Sequence, residues 1–343
     1  MCVEILILGG TAMLGRAIAH AALERGHVVT CLARGTSTPA RGTTFIPADR
    51  DRDDGLEAVE PRGWDAVIDV SRQPGQVRRA LRDLSAKHWV FISSGNVYAD
   101  FSSIEQDEDA PLLAPLQQEV MADMSTYGEA KVACEDAVRA NTISSTIVRS
   151  GLIGGPGDWS GRTGYWPWRF RHPSGADVII PEDPDFPCAI IDVRDLASWV
   201  ITAAEQKLDG TFNATGPTIS FHEVIVSAAR VAGSSTEPRS IPAAQLAELG
   251  IKPWMGPASL PLWIDDPAWR GFATMNTDRA REAGLVTRAV EDTLRAALVY
   301  EEHDRREPRQ AGLTDEEERR VRAALDQDHA SAGDHVPRPG GPH

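Results

Sequence analysis

The run Val3-Glu4-Ile5-Leu6-Ile7-Leu8 is apolar, of strand length, and leads into Gly9-Gly10-Thr11-Ala12-Met13-Leu14-Gly15. A helical pattern follows at once, from Leu14 to Arg25, and stops at Gly26. Strand, tight glycine turn and helix in that order open a dinucleotide-binding unit. The strand delivers the backbone to a turn where side chains would obstruct a pyrophosphate. The helix then aims its free N–H groups and positive dipole end at the phosphates. Gly9 suits the tight turn, and Gly15 lets the helix close on the strand. The spacing asks for a third glycine between them, where the chain has Ala12. Alanine is the smallest residue with a Cβ, so a cofactor can still approach. An ordinary buried strand and turn would share part of this pattern, but the β-α-β order that follows favours the dinucleotide.

Val28-Val29-Thr30-Cys31-Leu32-Ala33 reads as the second strand. An acid at its end would hydrogen-bond a ribose 2′-hydroxyl and repel a 2′-phosphate. Here Ala33 holds that place and Arg34 follows, with Gly35, Thr36, Ser37 and Thr38 adding N–H and hydroxyl donors. The expectation is NADP, its 2′-phosphate held by Arg34. NAD stays open, because a loop arginine can equally be solvated. Thr44-Phe45-Ile46 is a short third strand, and Asp49 after it stands where an acid can meet an adenine edge.

Further strands are expected at Asp65–Val70, His88–Ser93 and Thr146–Arg149, with helices at Gln76–Leu84 and Thr126–Ala140. The acidic, Pro-bearing segment 101–115 reads as a surface loop. Strands alternating with helices at this spacing imply an α/β fold of Rossmann type, a doubly wound parallel sheet. After residue 156 Trp and Pro become frequent, and from Ser220 helices dominate. The expected organisation is a dinucleotide-binding domain over 1–155. Residues 186–215 would return to it through a strand at Cys188–Ile191 and a helix from Val193, capped by Asp192. Residues 156–185 and 216–328 would form a smaller, mostly helical substrate lobe. It would end in a helix from Thr314 to Leu325, where Thr314 and Glu317 have capping-box spacing. The Gly- and Pro-rich tail, 329–343, is expected to be disordered.

Tyr127 and Lys131 are four residues apart, hence on one face of a helix. A free phenol titrates near pH ~10 and exchanges protons poorly at neutrality. A neighbouring ammonium favours the phenolate and makes the pair useful for acid/base work. The chain has only four lysines among 35 basic residues, so a lysine at this position is informative. Ser94 ends the strand before that helix, where a parallel sheet presents its active groups, and its hydroxyl can hold a carbonyl or alcohol oxygen.

Fifty acidic against 35 basic residues give a net charge of −15, which argues against a nucleic-acid or membrane-surface partner. No run reaches transmembrane length, and Cys2, Cys31, Cys134 and Cys188 are scattered without a CxxC pair. The expectation is a cytoplasmic protein with reduced cysteines and no metal site.

GGTxxLG at residues 9–15, SSxxVY at 93–98, YxxxK at 127–131 and Asp192-Val193-Arg194-Asp195-Leu196 together resemble the extended short-chain dehydrogenase/reductases, the NAD-dependent epimerase/dehydratase family. The resemblance covers roughly residues 1–305. It implies Tyr127 as general acid/base, Lys131 as its partner and ribose anchor, and Ser94 as the hydroxyl that orients the substrate. It places Gly9, Thr11, Met13 and Leu14 along the pyrophosphate, Asp49 at the adenine, and Leu152 and Ile153 near the nicotinamide amide. It also implies a dimer through paired helices, with a monomer left open. The variant GGTAMLG with Ala33-Arg34-Gly35 looks most like a subgroup labelled reductases or epimerase-like proteins, a look that chloroplast stem-loop RNA-binding proteins share.

Three readings follow. The first is an enzyme, an NADP- or NAD-dependent oxidoreductase passing hydride to or from a carbonyl or alcohol carbon. Tyr165, Trp166, Trp168, Trp254 and Trp263 would then either line an apolar pocket for a partly aromatic substrate or simply fill the lobe's core. The second is a sugar-nucleotide epimerase or dehydratase with tightly bound NAD. The third is a non-catalytic cofactor-sensing or RNA-binding protein.

Overall fold

The structure, a computed structural model, describes residues 2–333. Seven strands build the central sheet: β1 (Glu4–Leu8), β2 (Val28–Ala33), β3 (Thr44–Pro47), β4 (Ala66–Asp69), β5 (Trp89–Ser94), β6 (Ser145–Ser150) and β7 (Gly210–Ala214). Their order is β7-β6-β5-β4-β1-β2-β3, and every pairing is parallel. The order reverses beside β1, whose carboxyl end leads into the glycine turn. That is where open α/β sheets bind their ligands.

The period-two alternation of β1 assigns its side chains to two cores. Ile5 and Ile7 face a cluster with Ile18 and Ala22 of α1 (Met13–Glu24). Leu6 and Leu8 face the opposite cluster, with Val77 and Leu81 of α2 (Pro74–Asp83) and Val138 of α3 (Tyr127–Arg139). Each such side chain contributes ~1.5–3 kcal/mol by burial. Pro74 lies inside α2 as its first residue, where its missing N–H costs nothing, so this helix starts two residues before the expected Gln76.

The lobe beyond residue 156 contains α4 (Tyr165–Arg171), α6 (Phe221–Ala232), α7 (Val290–Val299) and α8 (Asp315–Gly333), with a parallel pair of short strands at Asp177–Pro181 and Glu237–Ile241. Between the two stretches of lobe, α5 (Val193–Gln206) returns to cover the sheet beside α1. Its Asp192 cap accepts from Arg194 N–H at 2.8 Å, as the sequence suggests.

Three expectations need correction. The Cys188–Ile191 strand does not join the main sheet. Ile190–Asp192 pairs instead with Leu152–Gly154, and Pro187–Cys188 with Ile219–Ser220. Only β7 returns, because it alone reaches the open edge of β6. The segment after Tyr98 is not wholly a surface loop: Glu108 is buried and accepts Asn213 N–H at 2.7 Å. The last helix, α8, does have the Thr314–Glu317 capping box, but it runs to Gly333, through the first residues of the expected tail. Residues 334–343 lie outside the described residues. Among the described residues no helix is long and apolar enough to cross a membrane.

Candidate active site

The turn after β1 has the form a pyrophosphate needs. Gly9 takes φ +99°, a left-handed conformation that favours glycine, and its N–H donates to Leu32 O at 2.9 Å. A Cβ on Gly15 would collide with the Gly9 carbonyl, so this glycine sets the closeness of α1 to the turn. The first helical hydrogen bond of α1 runs from Arg16 N–H to Ala12 O, and no side chain caps the helix. The N–H groups of Met13, Leu14 and Gly15 are therefore free to hold an anion. Ala12 is exposed and Thr11 buried, so the methyl that replaces the middle glycine does not fill the turn. These residues fit a dinucleotide.

At the end of β2, Arg34 is exposed and, among the described residues, has no carboxylate within ion-pair distance. Asp49, after β3, is half-buried and accepts Asp51 N–H at 3.1 Å. The adjacent Arg50 turns inward to a bidentate pair with buried Asp69, at 2.8 and 2.9 Å. That pair braces the carboxyl ends of β3 and β4 against each other.

Tyr127 is the first residue of α3 and Lys131 lies one turn later, almost fully buried. The Lys131 ammonium is 5.9 Å from the Tyr127 ring centroid. It donates to Ser71 O at 2.7 Å and to Ile92 O at 2.6 Å. An ammonium has three donors, so one remains. Ile92 is two residues before Ser94 on β5. The Ser94 hydroxyl donates to Asn96 Oδ1 at 2.9 Å and accepts from Asn96 N–H at 3.3 Å, closing a short turn over Gly95–Val97. That turn rests on α3 at Gly128, where a Cβ would collide with Asn96 O. Lys131 and Gly128 thus tie the Ser94 strand to the Tyr127 helix from two sides.

Leu152 is buried and Ile153 half-buried, just beyond β6 in the short ladder with Ile190–Asp192. The loop after them returns to the cofactor turn: a Cβ on Gly157 would lie 3.4 Å from Met13 Cγ.

Of the two roles the sequence left open for the aromatics, core packing takes three of them. Tyr165, Trp166 and Trp263 are buried in the core of the lobe, with Trp166 edge-on to Tyr165 and to Phe221. Of the five aromatics only Trp168 and Trp254 are partly open. The sequence reading also missed Glu135, the next residue of the Tyr127–Lys131 stripe. It is fully buried, accepts from Ser93 Oγ at 2.5 Å, and takes two hydrogen bonds from Arg149 of β6, at 3.1 and 2.8 Å. Burial alone would raise its carboxyl, but Arg149 and Ser93 hold it below the usual range. The same four-residue spacing, continued one turn further, was the available signal.

The sequence matches the profile of the NAD dependent epimerase/dehydratase family over residues 5–81 and 74–214, more than half of the chain. The chain belongs to this family. Its members are enzymes, and the seven-stranded Rossmann-type sheet is theirs. A curated relative, the chloroplast stem-loop binding protein of 41 kDa b from Arabidopsis thaliana, is 22% identical over 261 residues, 69% of this chain. The match spans 65% of that relative's own length, just under two thirds. Among solved structures, the Bordetella bronchiseptica enzyme WbmH in complex with NAD+ superposes with TM-score 0.64 at 17% identity, covering 88% of this chain and 99% of that one. The Thermotoga maritima UDP-glucose 4-epimerase with UDP-glucose gives 0.61 at 16% identity, covering 87% and 98%. At such identities the likeness speaks for the fold.

Proposed function

We propose that this family member is a nicotinamide-dependent oxidoreductase of the short-chain dehydrogenase/reductase type, acting on a carbonyl or alcohol carbon. The observation that carries this reading is the tie between Tyr127, Lys131 and the Ser94 strand, through the Lys131–Ile92 hydrogen bond of 2.6 Å and the glycine contact at Gly128. A dinucleotide held by its pyrophosphate at the turn of Gly9–Gly15 would supply, through its nicotinamide, the hydride donor or acceptor. Tyr127 holds or delivers the proton at the substrate oxygen. The Lys131 ammonium, held on two carbonyls, places its positive charge 5.9 Å from the Tyr127 ring centroid. Its third donor is left for a ribose hydroxyl. The Ser94 hydroxyl orients the same oxygen. Leu152 and Ile153 would flank the nicotinamide amide, and Asp49 the adenine.

Arg34 supports NADP: it is exposed, carries no partner carboxylate, and stands where NAD-preferring chains have an acid. The family's name and the NAD+ complex of WbmH support NAD. Fluorescence titration with NADPH and NADH, after assaying for cofactor already bound, separates the two. Tight NADPH and weak NADH binding, lost in Arg34→Gln, is the result expected. Binding of neither by cofactor-free protein would sink the oxidoreductase reading.

A second reading, a sugar-nucleotide epimerase with NAD retained, draws on the fold it shares with UDP-glucose 4-epimerase. NAD carried through purification without net turnover would favour it. A stem-loop binding role like that named for the Arabidopsis relative meets the net charge of −15, which opposes phosphate contacts.

A further inference from the structure

Arg162 stands in the loop that follows Leu152–Gly154, and its guanidinium lies 5.0 Å over the ring of Trp254. Its Nε–H donates to Ser160 Oγ at 3.1 Å. Among the described residues no carboxylate lies within ion-pair distance of it, although other arginines of the lobe are tied: Arg270 to Asp183 at 2.8 Å, and Arg305 and Arg309 to Glu301 at 2.7 and 2.9 Å. The nearest acid, Asp158, is engaged by the N–H and hydroxyl groups of Ser160 and Thr163. Burial pushes the Arg162 guanidinium below its ordinary range, with Asp158 opposing that only in part. A half-buried cation with its two terminal nitrogens free offers the end-on fork that matches one carboxylate.

The ring beneath it is held for the same purpose. Trp254 has φ +66°, a left-handed conformation unusual for a bulky side chain and typical of functional sites. It meets Phe272 edge-on at 5.2 Å, and Phe272 meets Phe101 edge-on at 5.0 Å. Phe101 follows the Ser94 strand. On one side this wall continues to Met275, whose Sδ would lie 3.0 Å from a Cβ on Gly95, the residue after Ser94. On the other side, the Arg162 loop returns through Gly157 to the cofactor turn at Met13. Contact by contact, the wall joins the substrate-orienting serine to the pyrophosphate turn.

We propose that Arg162 and the face of Trp254 form the subsite that selects the substrate, an aromatic carboxylate whose carboxylate meets the guanidinium and whose ring enters the Trp254–Phe272–Phe101 wall. The inference rests on the oxidoreductase reading and names the substrate class of that site. One free guanidinium beside Trp254, in a chain of net charge −15, matches a monoanion; a diphosphate would call for several cations.

The test compares 4-carboxybenzaldehyde with benzaldehyde as substrates, and titrates benzoate calorimetrically into protein with and without cofactor. The wild type is expected to prefer the carboxylate by about tenfold or more in KM, and Arg162→Gln to lose that preference with kcat little changed. Arg162→Lys, which keeps the charge without the fork, is expected to fall between them and controls for folding. Equal KM values for the two aldehydes in the wild type, or benzoate affinity unchanged in Arg162→Gln, overturn the proposal. So does UDP-glucose binding that depends on Arg162 while benzoate fails to bind. Cofactor affinity measured in the same samples separates the outcomes. Its absence refutes the oxidoreductase reading, whereas intact cofactor binding without carboxylate discrimination refutes the Arg162 subsite alone.

Discussion

Lys131 Nζ donates to the carbonyl of Ile92 at 2.6 Å, so the ammonium of the helix that begins at Tyr127 is fastened to the strand that ends in Ser94. Its second bond, to Ser71 O at 2.7 Å, fastens it to the segment after β4 as well. One side chain therefore supplies a charge and sets a distance. Lys131→Met should lose both. Two buried carbonyls would be left without donors, at ~1–3 kcal/mol each. Thermal melts should show that loss, and the remaining folded protein should have both kcat and cofactor affinity reduced. Unchanged cofactor affinity would mean that the third donor of Lys131 meets no ribose.

Tyr127→Phe removes one oxygen and leaves the ring where it is. Among the described residues the phenol hydroxyl has no hydrogen-bond partner, so stability should hardly change. Hydride chemistry that depends on its proton should slow by ~10²–10⁴-fold. Cofactor dissociation constants should stay as they are. Steady-state turnover with NADPH or NADH decides it, and turnover within a few-fold of wild type would remove Tyr127 from the mechanism.

Gly128 tests position apart from chemistry. A Cβ there would collide with Asn96 O, so Gly128→Ala must push the Ser94 turn away from α3. A displacement on the order of 1 Å can cost ~10²-fold in rate without removing a reacting group. The variant should bind cofactor normally and lose kcat. Full activity would show that Ser94 need not sit so close to Tyr127.

The sheet was legible because its signals are local. Ile5 and Ile7 against Leu6 and Leu8 alternate with period two, and β5 is apolar enough to be read as a strand buried on both faces. Gly9, Gly15, Tyr127 and Lys131 stood out in the sequence because their spacing is local, two glycines around one turn and a tyrosine and lysine one helical turn apart. Glu135 and Arg149 did not: their partners lie 14 residues apart on different elements, and only the fold brings them together. Arg162 and Trp254 meet across an even longer stretch of chain. The roles of the aromatics stayed undecided in the sequence for a related reason. Composition located the Trp-rich lobe, but whether Trp166 faces a ligand or the core depends on which side of α4 meets α6, and the interior claimed it.

Glu135→Gln should measure what the buried pair contributes. Arg149 would keep Tyr98 Oη at 3.1 Å and Glu108 O at 3.0 Å but lose its counter-charge. Removing one partner of a buried ion pair costs ~3–5 kcal/mol. Urea unfolding should show that loss, whereas a loss below about 1 kcal/mol would mean the pair is exchangeable for a neutral hydrogen bond. Because Ser93 also bonds Glu135, the serine next to it, Ser94, should be less well positioned, and kcat should fall with stability.

His88 makes the last prediction, about pH. It is fully buried beside β6, with Nδ1 3.1 Å from Ser144 Oγ and Nε2 2.9 Å from Thr146 Oγ1. Burial pushes it down from 6.5 to about 4, with Asp209 opposing in part. In the unfolded chain it returns to the ordinary value near ~6.5. Between the two values the unfolded chain binds a proton that the folded protein refuses. Stability is therefore full above pH ~6.5 and is lost as pH falls toward ~4, by up to about 3 kcal/mol. Urea midpoints at pH 7 and pH 5 should differ in that direction. In His88→Gln the protein should be weaker at pH 7, because the imidazole contacts are altered, but the drop on going to pH 5 should be smaller. Equal drops in the two proteins would assign the acid sensitivity to the carboxylates, whose lowered values in Glu135 and Asp192 act in the same direction but at more acidic pH.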